Sequence, residues 1–320
     1  MKGFLKFLGW LAVVTLITLY TFRTPDSDPK EMIAKYGAPP SKFLKLPDGQ
    51  IIHMRDEGAP DAPVLVLLHG SNADLHTWDA WTEALKGKYR VIRLDQIGHG
   101  LTGPDAKGDY SPQGFANRLA QVVDALGVQK FALAGNSMGG GIAIRYALDH
   151  PERLSALVLV DAAGAPVTEK PQGNMAFKLA ATPGINLVMQ QVTPRWLIAR
   201  SVHQSVANQA IVTDAMIDRY WELLRYPGNR AATFTRFALP RVPYSQQQFA
   251  GLKMPVLVMW GEQDSLIPLS SGKLMSSLIP GSTLITYPGI GHIPMEEAAQ
   301  RSAGDLQGWL AAHGLPGKAG

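Results

Sequence analysis

Phe131-Ala132-Leu133-Ala134-Gly135-Asn136-Ser137-Met138-Gly139-Gly140-Gly141 is the stretch whose reading decides the fold. An apolar run of strand type leads into Gly-x-Ser-x-Gly, and a helical pattern follows at once, running to Asp149 before His150-Pro151 stops it. A strand that turns so sharply into a helix leaves one serine strained and exposed at the tip. Gly135 and Gly139 suit such a turn because a Cβ at either position would collide with neighbouring backbone. Ser137 then stands at a helix N-terminus, where free N–H groups and the helix dipole favour developing negative charge.

The same alternation extends outward from this turn. Val64-Leu65-Val66-Leu67-Leu68 has the unbroken apolarity of a strand buried on both faces and ends in His69-Gly70-Ser71-Asn72. Helical spacing from Trp78 to Leu85 precedes a strand signal from Tyr89 to Leu94, which ends in Asp95-Gln96-Ile97-Gly98-His99-Gly100. Pro112 to Leu126 reads as a helix, while Phe43 to Leu46 and Ile51 to Arg55 flank a Pro47-Asp48-Gly49 turn. Downstream, Leu157 to Asp161, Val256 to Trp260 and Ser282 to Tyr287 read as strands, and Met295 to His313 as a final helix. Strands alternating with helices predict an α/β fold whose mostly parallel sheet is covered on both sides.

Residues 165–249 break the pattern. Long apolar strands give way to helical patches rich in Met, Gln and aromatic residues, from Met175 to Ala181, Ile185 to Gln191, Thr193 to Val202, Thr213 to Arg225 and Asn229 to Leu239. The segment is too long for a loop and is predicted to be a helical insertion between core segments 42–164 and 250–316.

Composition narrows the function classes. A chain of 320 residues can bury a large core, and its net charge of +4 owes much to Lys2, Lys6 and Arg23. Without these three, 27 basic residues face 26 acidic ones, which is no electrostatic footprint for nucleic acid. There are no cysteines, so disulfides, thiolate metal sites, a cysteine nucleophile and a cysteine-linked lipid anchor are excluded. Residues 1–23 carry Lys2 and Lys6 ahead of an uncharged, mostly apolar run from Phe7 to Phe22. From Phe4 to Phe22 a helix would span about 28 Å, close to a hydrocarbon core of about 30 Å. With no small-x-small cleavage site near its end, this pattern predicts a transmembrane anchor with the body on the extracytoplasmic, periplasmic side. Residues 24–41, with four prolines, read as a tether or peripheral helix.

A serine hydroxyl needs a base within hydrogen-bond reach, itself oriented by an acid. Of the histidines after Ser137, His150 lies in a helix-ending turn, His203 in the insertion and His313 in the polar tail. Only His292, in Gly289-Ile290-Gly291-His292-Ile293-Pro294, follows a strand on a tight loop ahead of a helix, so it is the expected base. Past the strand ending at Trp260, Glu262 and Asp264 are available; Asp264 lies further into the loop and is preferred, with Asp161 as an alternative acid. Oxyanion donors are expected from the backbone N–H groups of Met138 and Ser71, with Asn72 as a possible substitute. His69 and His99 read as structural.

His69-Gly70-Ser71, Asp95-x-x-Gly98-His99-Gly100, Gly135-Asn136-Ser137-Met138-Gly139, Gly261-x-x-Asp264 and Gly291-His292 together resemble the α/β-hydrolase superfamily over about residues 42 to 315. The resemblance implies a mostly parallel eight-stranded sheet with a helical cap inserted after the sixth strand. It also implies Ser137 as nucleophile, Asp264 as acid and His292 as base. Gln96 departs from the proline many relatives carry in that turn. Members that use an aspartate at the elbow, the haloalkane dehalogenases and epoxide hydrolases, are disfavoured by Ser137.

Acyl transfer to water remains, and no cofactor or metal is expected. Cap aromatics such as Phe177, Trp196, Tyr220 and Trp221 point to a small hydrophobic acyl substrate, and hence to a serine carboxylesterase. The alternatives are C–C bond hydrolysis or cofactor-free perhydrolysis (haloperoxidase chemistry) on the same triad, or a non-catalytic binding protein that keeps the fold.

Overall fold

A computed structural model describes residues 20–166, 169, 173–315, 317 and 318, together with 3, 4, 6, 7, 10 and 13. Eight strands, β1 (Lys42–Lys45), β2 (Ile51–Glu57), β3 (Val64–Leu68), β4 (Arg90–Leu94), β5 (Phe131–Asn136), β6 (Leu154–Val160), β7 (Val256–Gly261) and β8 (Thr283–Tyr287), form one sheet. Their order is β1-β2-β4-β3-β5-β6-β7-β8. The β1–β2 and β2–β4 pairs are antiparallel, and every later pair is parallel.

Ahead of the sheet lies α1 (Pro29–Tyr36); α2 (Asp79–Leu85), α3 (Pro112–Ala125) and α4 (Met138–Asp149) connect its strands. Strand geometry sends successive side chains to opposite faces, and the continuous apolar runs exploit this. Val66, Leu68, Leu133, Leu157, Leu159 and Val258 pack on one face with Phe115, Leu119 and Val122 of α3 and Ile142 and Ile144 of α4. Leu65, Leu67, Ala134, Val158, Val160, Leu257 and Met259 pack on the other, with Trp78, Trp81 and Leu85 around α2. Each fully buried aliphatic side chain here contributes about 1.5–3 kcal/mol, so the central strands are the least replaceable part of the molecule.

Between β6 and β7 the insertion is helical, as its pattern predicts: α5 (Met175–Ala181), α6 (Ile185–Met189), α7 (Arg195–Ser205), α8 (Asp214–Leu224), α9 (Asn229–Ala238) and α10 (Gln246–Ala250). The core closes with α11 (Leu269–Leu278), α12 (Pro294–Glu297) and α13 (Ala299–Ala312). The single last helix expected from sequence is therefore two, because the backbone leaves helical geometry at Ala298.

The insertion is tied to the core by a buried ionic cluster. Arg219 of α8 meets Asp74, in the loop after β3, at 3.2 Å and Glu296 of α12 at 3.6 Å. Burial opposes ionisation of Asp74, but Arg219 and His76 outweigh it and hold the carboxyl well below its ordinary range. Arg219→Ala would take from the buried Asp74 and Glu296 the cation they share, leaving Asp74 only His76, so a loss of about 3 kcal/mol is expected in denaturant unfolding. A change under about 1 kcal/mol would show that this cluster does not fasten the insertion.

The transmembrane helix expected over residues 1–23 is corrected. Among the described residues no helix is long and apolar enough to cross a membrane, since a span needs about 20 consecutive apolar helical residues. Most of the Phe7–Phe22 run lies outside the described residues, and the helical geometry seen at Tyr20 and Thr21 ends before Thr24. Residues 24–41 are docked rather than free. Thr24 N donates to Gln191 O at 2.7 Å, and Ser27 N donates to Arg225 O at 2.9 Å. Met32 and Tyr36 of α1 are buried against Leu101 and Leu223.

Candidate active site

Ser137 is the residue between β5 and α4, and its backbone has φ 53° and ψ −117°. A non-glycine residue there carries strain of order 1–3 kcal/mol, which the surroundings must hold in place. They do so through backbone: Ser137 N donates to Val160 O at 3.0 Å, while Gly140 N and Ala163 N donate to Ser137 O at 3.1 and 2.9 Å. The turn is so tight that a Cβ on Gly135 would meet Gly139 O at 2.3 Å, and one on Gly139 would meet Leu68 O at 2.3 Å.

His292 stands on the loop after β8 and is 5% exposed. Its Nδ1 is hydrogen-bonded to Asp264 Oδ2 at 2.7 Å. The other Asp264 oxygen accepts from Leu266 N at 2.7 Å and Ile267 N at 3.0 Å, which fixes the direction of the carboxyl group. Glu262, the other acid of this loop, instead accepts from Thr286 Oγ1 at 2.8 Å on the exposed edge. The insertion holds the histidine loop as well: His292 N donates to Ser205 O at 2.8 Å, and Glu297 receives Gly291 N at 2.7 Å and Ala207 N at 3.0 Å.

Ser137, His292, Gly70, Ser71, Asn72 and Asn136 line one cleft, closed from above by Phe177, Ile198, Val202, Tyr220 and Leu224 of the insertion. It contains about 580 Å³ of empty space, counting its open mouth. Met138 is the first residue of α4, so its N–H belongs to the first turn, whose donors lack intrahelical partners. Asn72, at φ 59°, accepts from Thr233 Oγ1 of α9 at 3.3 Å, which links the loop after β3 to the insertion.

His69 has a structural place. Its Nδ1 pairs with Gly70 O at 2.7 Å, its Nε2 accepts from Gln96 N at 3.0 Å, and burial pushes its pKa down, so it stays neutral. Gln96 closes this clamp by donating to His69 O at 2.7 Å, a role the sequence does not announce. His99 is likewise held neutral by burial, with Nδ1 paired to Ile97 O at 3.0 Å.

Asn136 is the residue that sequence reasoning passed over. Its amide donates to Val160 O at 3.2 Å and to His292 O at 3.0 Å, joining the serine turn to the histidine loop. The available signal was one amide in a strand whose other residues are apolar or glycine. Asp161, Asp264 and His292 form the one cluster of metal-ligating side chains among the described residues, with one oxygen or ring nitrogen from each within 4.8 Å of the others. Because the ring nitrogen beside Asp264 is taken by that carboxylate, the cluster reads as a relay of hydrogen-bonding groups.

A mostly parallel eight-stranded sheet, a strained serine between its fifth strand and the next helix, and a histidine–aspartate pair at the ends of later strands define an α/β-hydrolase architecture. The family model described as alpha/beta hydrolase fold matches residues 63–299, and the chain belongs to that family. It is 26% identical over 266 residues to a 2-hydroxy-6-oxononadienedioate/2-hydroxy-6-oxononatrienedioate hydrolase of Comamonas testosteroni, covering 79% of this chain and 90% of that one. It is also 26% identical over 323 aligned residues to Lipase 3 of a Moraxella species, covering 95% and 97%. Among solved structures, a bacterial membrane phospholipase A superposes with a TM-score of 0.76 at 26% identity, covering 98% of this chain and 99% of that one.

Proposed function

We propose that the protein is a serine hydrolase that cleaves uncharged, hydrophobic carboxylic esters through an acyl-enzyme. Ser137 attacks the ester carbonyl; His292 takes the serine proton and returns it to the leaving alcohol; Asp264 steadies the imidazolium. The N–H groups of Met138 and Ser71 receive the oxyanion. Water, activated by His292, then releases the acid. The observation that carries this reading is a strained serine sharing a cleft with a histidine whose far nitrogen is bonded to a buried carboxylate.

C–C bond hydrolysis is the second reading, supported by similarity to the Comamonas enzyme. The cleft lining supports the ester: its side chains are apolar or neutral-polar apart from His292, and the lining residues include no Lys or Arg. A panel of p-nitrophenyl esters tests this. From acetate upward, kcat/KM is expected to rise about threefold per added methylene until the cleft is filled. An anionic ring-cleavage diketone turned over faster than every ester would favour the second reading instead.

A further inference from the structure

Asp161 is the first residue after β6, the strand that lies between the serine strand β5 and the acid strand β7. It is fully buried and adopts φ 43°, a conformation unusual for a side chain with a Cβ. One oxygen, Oδ1, accepts from Gly261 N at 2.9 Å and so grips the end of β7, three residues before Asp264. The other, Oδ2, is buried with no donor to accept from, and the cluster spacing of 4.8 Å puts Asp161 beside both the His292 ring and Asp264, to which a protonated Asp161 can donate. A strained, fully buried carboxyl beside a second one is expensive to keep. It sits where the proton-handling groups of the cleft converge.

We propose that Asp161 is a positioning residue of the reaction and the reserve partner of the His292 imidazole, bracing β7 through Gly261 and supplying the counter-charge when Asp264 cannot. The proposal rests on the serine-hydrolase reading above. Two carboxylates this close in a buried site do not both ionise readily; Asp264 has two backbone N–H donors and the imidazole around it, where Asp161 has the single Gly261 N–H. Asp161 therefore keeps its proton: burial first, then the charge of Asp264, push its pKa well above the ordinary carboxyl range, against the opposing Gly261 N–H. Besides Asp264 and His292, Glu297 of α12 faces it and adds to the upward push, and Tyr287 at the end of β8 lies within its electrostatic reach.

In Asp264→Asn the neighbouring charge is gone while burial remains. Asp161 then releases its proton to solvent at a pH lower than in the parent protein, yet still above that of an ordinary carboxyl. Its carboxylate can then face the imidazolium formed during Ser137 attack.

The test compares p-nitrophenyl butyrate hydrolysis across pH by the full chain, Asp264→Asn, Asp161→Asn, Asp161→Leu, the double variant Asp161→Asn/Asp264→Asn and Ser137→Ala. Thermal unfolding verifies that each is folded, and Asp161→Ser/Asp264→Asn replaces the double variant if that one is not. Asp264→Asn is expected to turn over at least about tenfold faster than the double variant. Its acid limb should lie at higher pH than that of the parent protein, because an acid of raised pKa must now ionise. In the double variant, where residue 161 no longer titrates, that limb should move. Asp161→Leu should lower kcat more than Asp161→Asn, whose amide oxygen can still accept from Gly261 N, with KM little moved in both. Coincident rates and pH profiles for Asp264→Asn and the double variant, with Ser137→Ala inert, would overturn this proposal alone. Retained turnover in Ser137→Ala would sink the serine-hydrolase reading and this proposal with it.

Discussion

Ser137→Ala is expected to lower kcat for a short-chain ester by about 10⁴-fold or more, while the protein stays folded. The loss is large because in the proposed reaction the hydroxyl is the atom that forms the acyl bond, and no other serine in the cleft lining stands at a helix N-terminus. Stability should change little, since alanine keeps the Cβ already accommodated at φ 53° and the hydrogen bonds that hold the turn are made by backbone atoms. The measurement pairs ester turnover with labelling by a fluorophosphonate probe, which should mark the parent protein and leave the variant unmarked. A labelled or fully active variant would move the nucleophile to another residue.

Gly261→Ala is the second large effect, and it comes from packing rather than chemistry. A Cβ at Gly261 would lie 1.8 Å from Gly291 O and 2.6 Å from Ile290 O, so β7 and the histidine loop cannot both keep their positions. The loop has little room to retreat, because Gly291 itself packs against the backbone of Ser205 and Val206. A loss of about 3 kcal/mol in stability is expected, at the upper end for an overpacked site. Displacement of His292 relative to Ser137 should lower kcat about a hundredfold, since misplacement near 1 Å costs that much in a preorganised site. Denaturant unfolding and ester turnover read the two effects separately. An active and equally stable variant would mean that the loop yields freely and that the His292–Asp264 geometry tolerates movement.

Much of this was legible in the linear chain, for local reasons. The eight strands could be read because runs such as Val64–Leu68 and Val256–Trp260 are apolar on both faces, a pattern that only a covered sheet satisfies. Ser137 could be read because its turn needs small residues at fixed offsets. His292 and Asp264 could be read because each follows such a strand on a short polar loop, and the structure then joins them at 2.7 Å. The N-terminal segment shows where local reading fails: an apolar run has the composition of a membrane helix, but composition does not determine whether one continuous helix forms. No such helix is found among the described residues.

The sequence by itself determined the order of the eight strands, the helical character of the segment between the sixth and seventh, and the place of the turn serine, because each depends on the spacing of neighbours along the chain. Only the tertiary structure decided that Glu262 faces outward, that Gln96 and Asn136 clamp the loops around the cleft, that α1 lies against the insertion, and that Asp161 sits beside Asp264. Those facts depend on contacts between residues far apart in number, such as the 156 positions separating Asn136 from His292. Hydrogen bonds of that kind are fixed by how the sheet stacks its strands, and no local pattern encodes them.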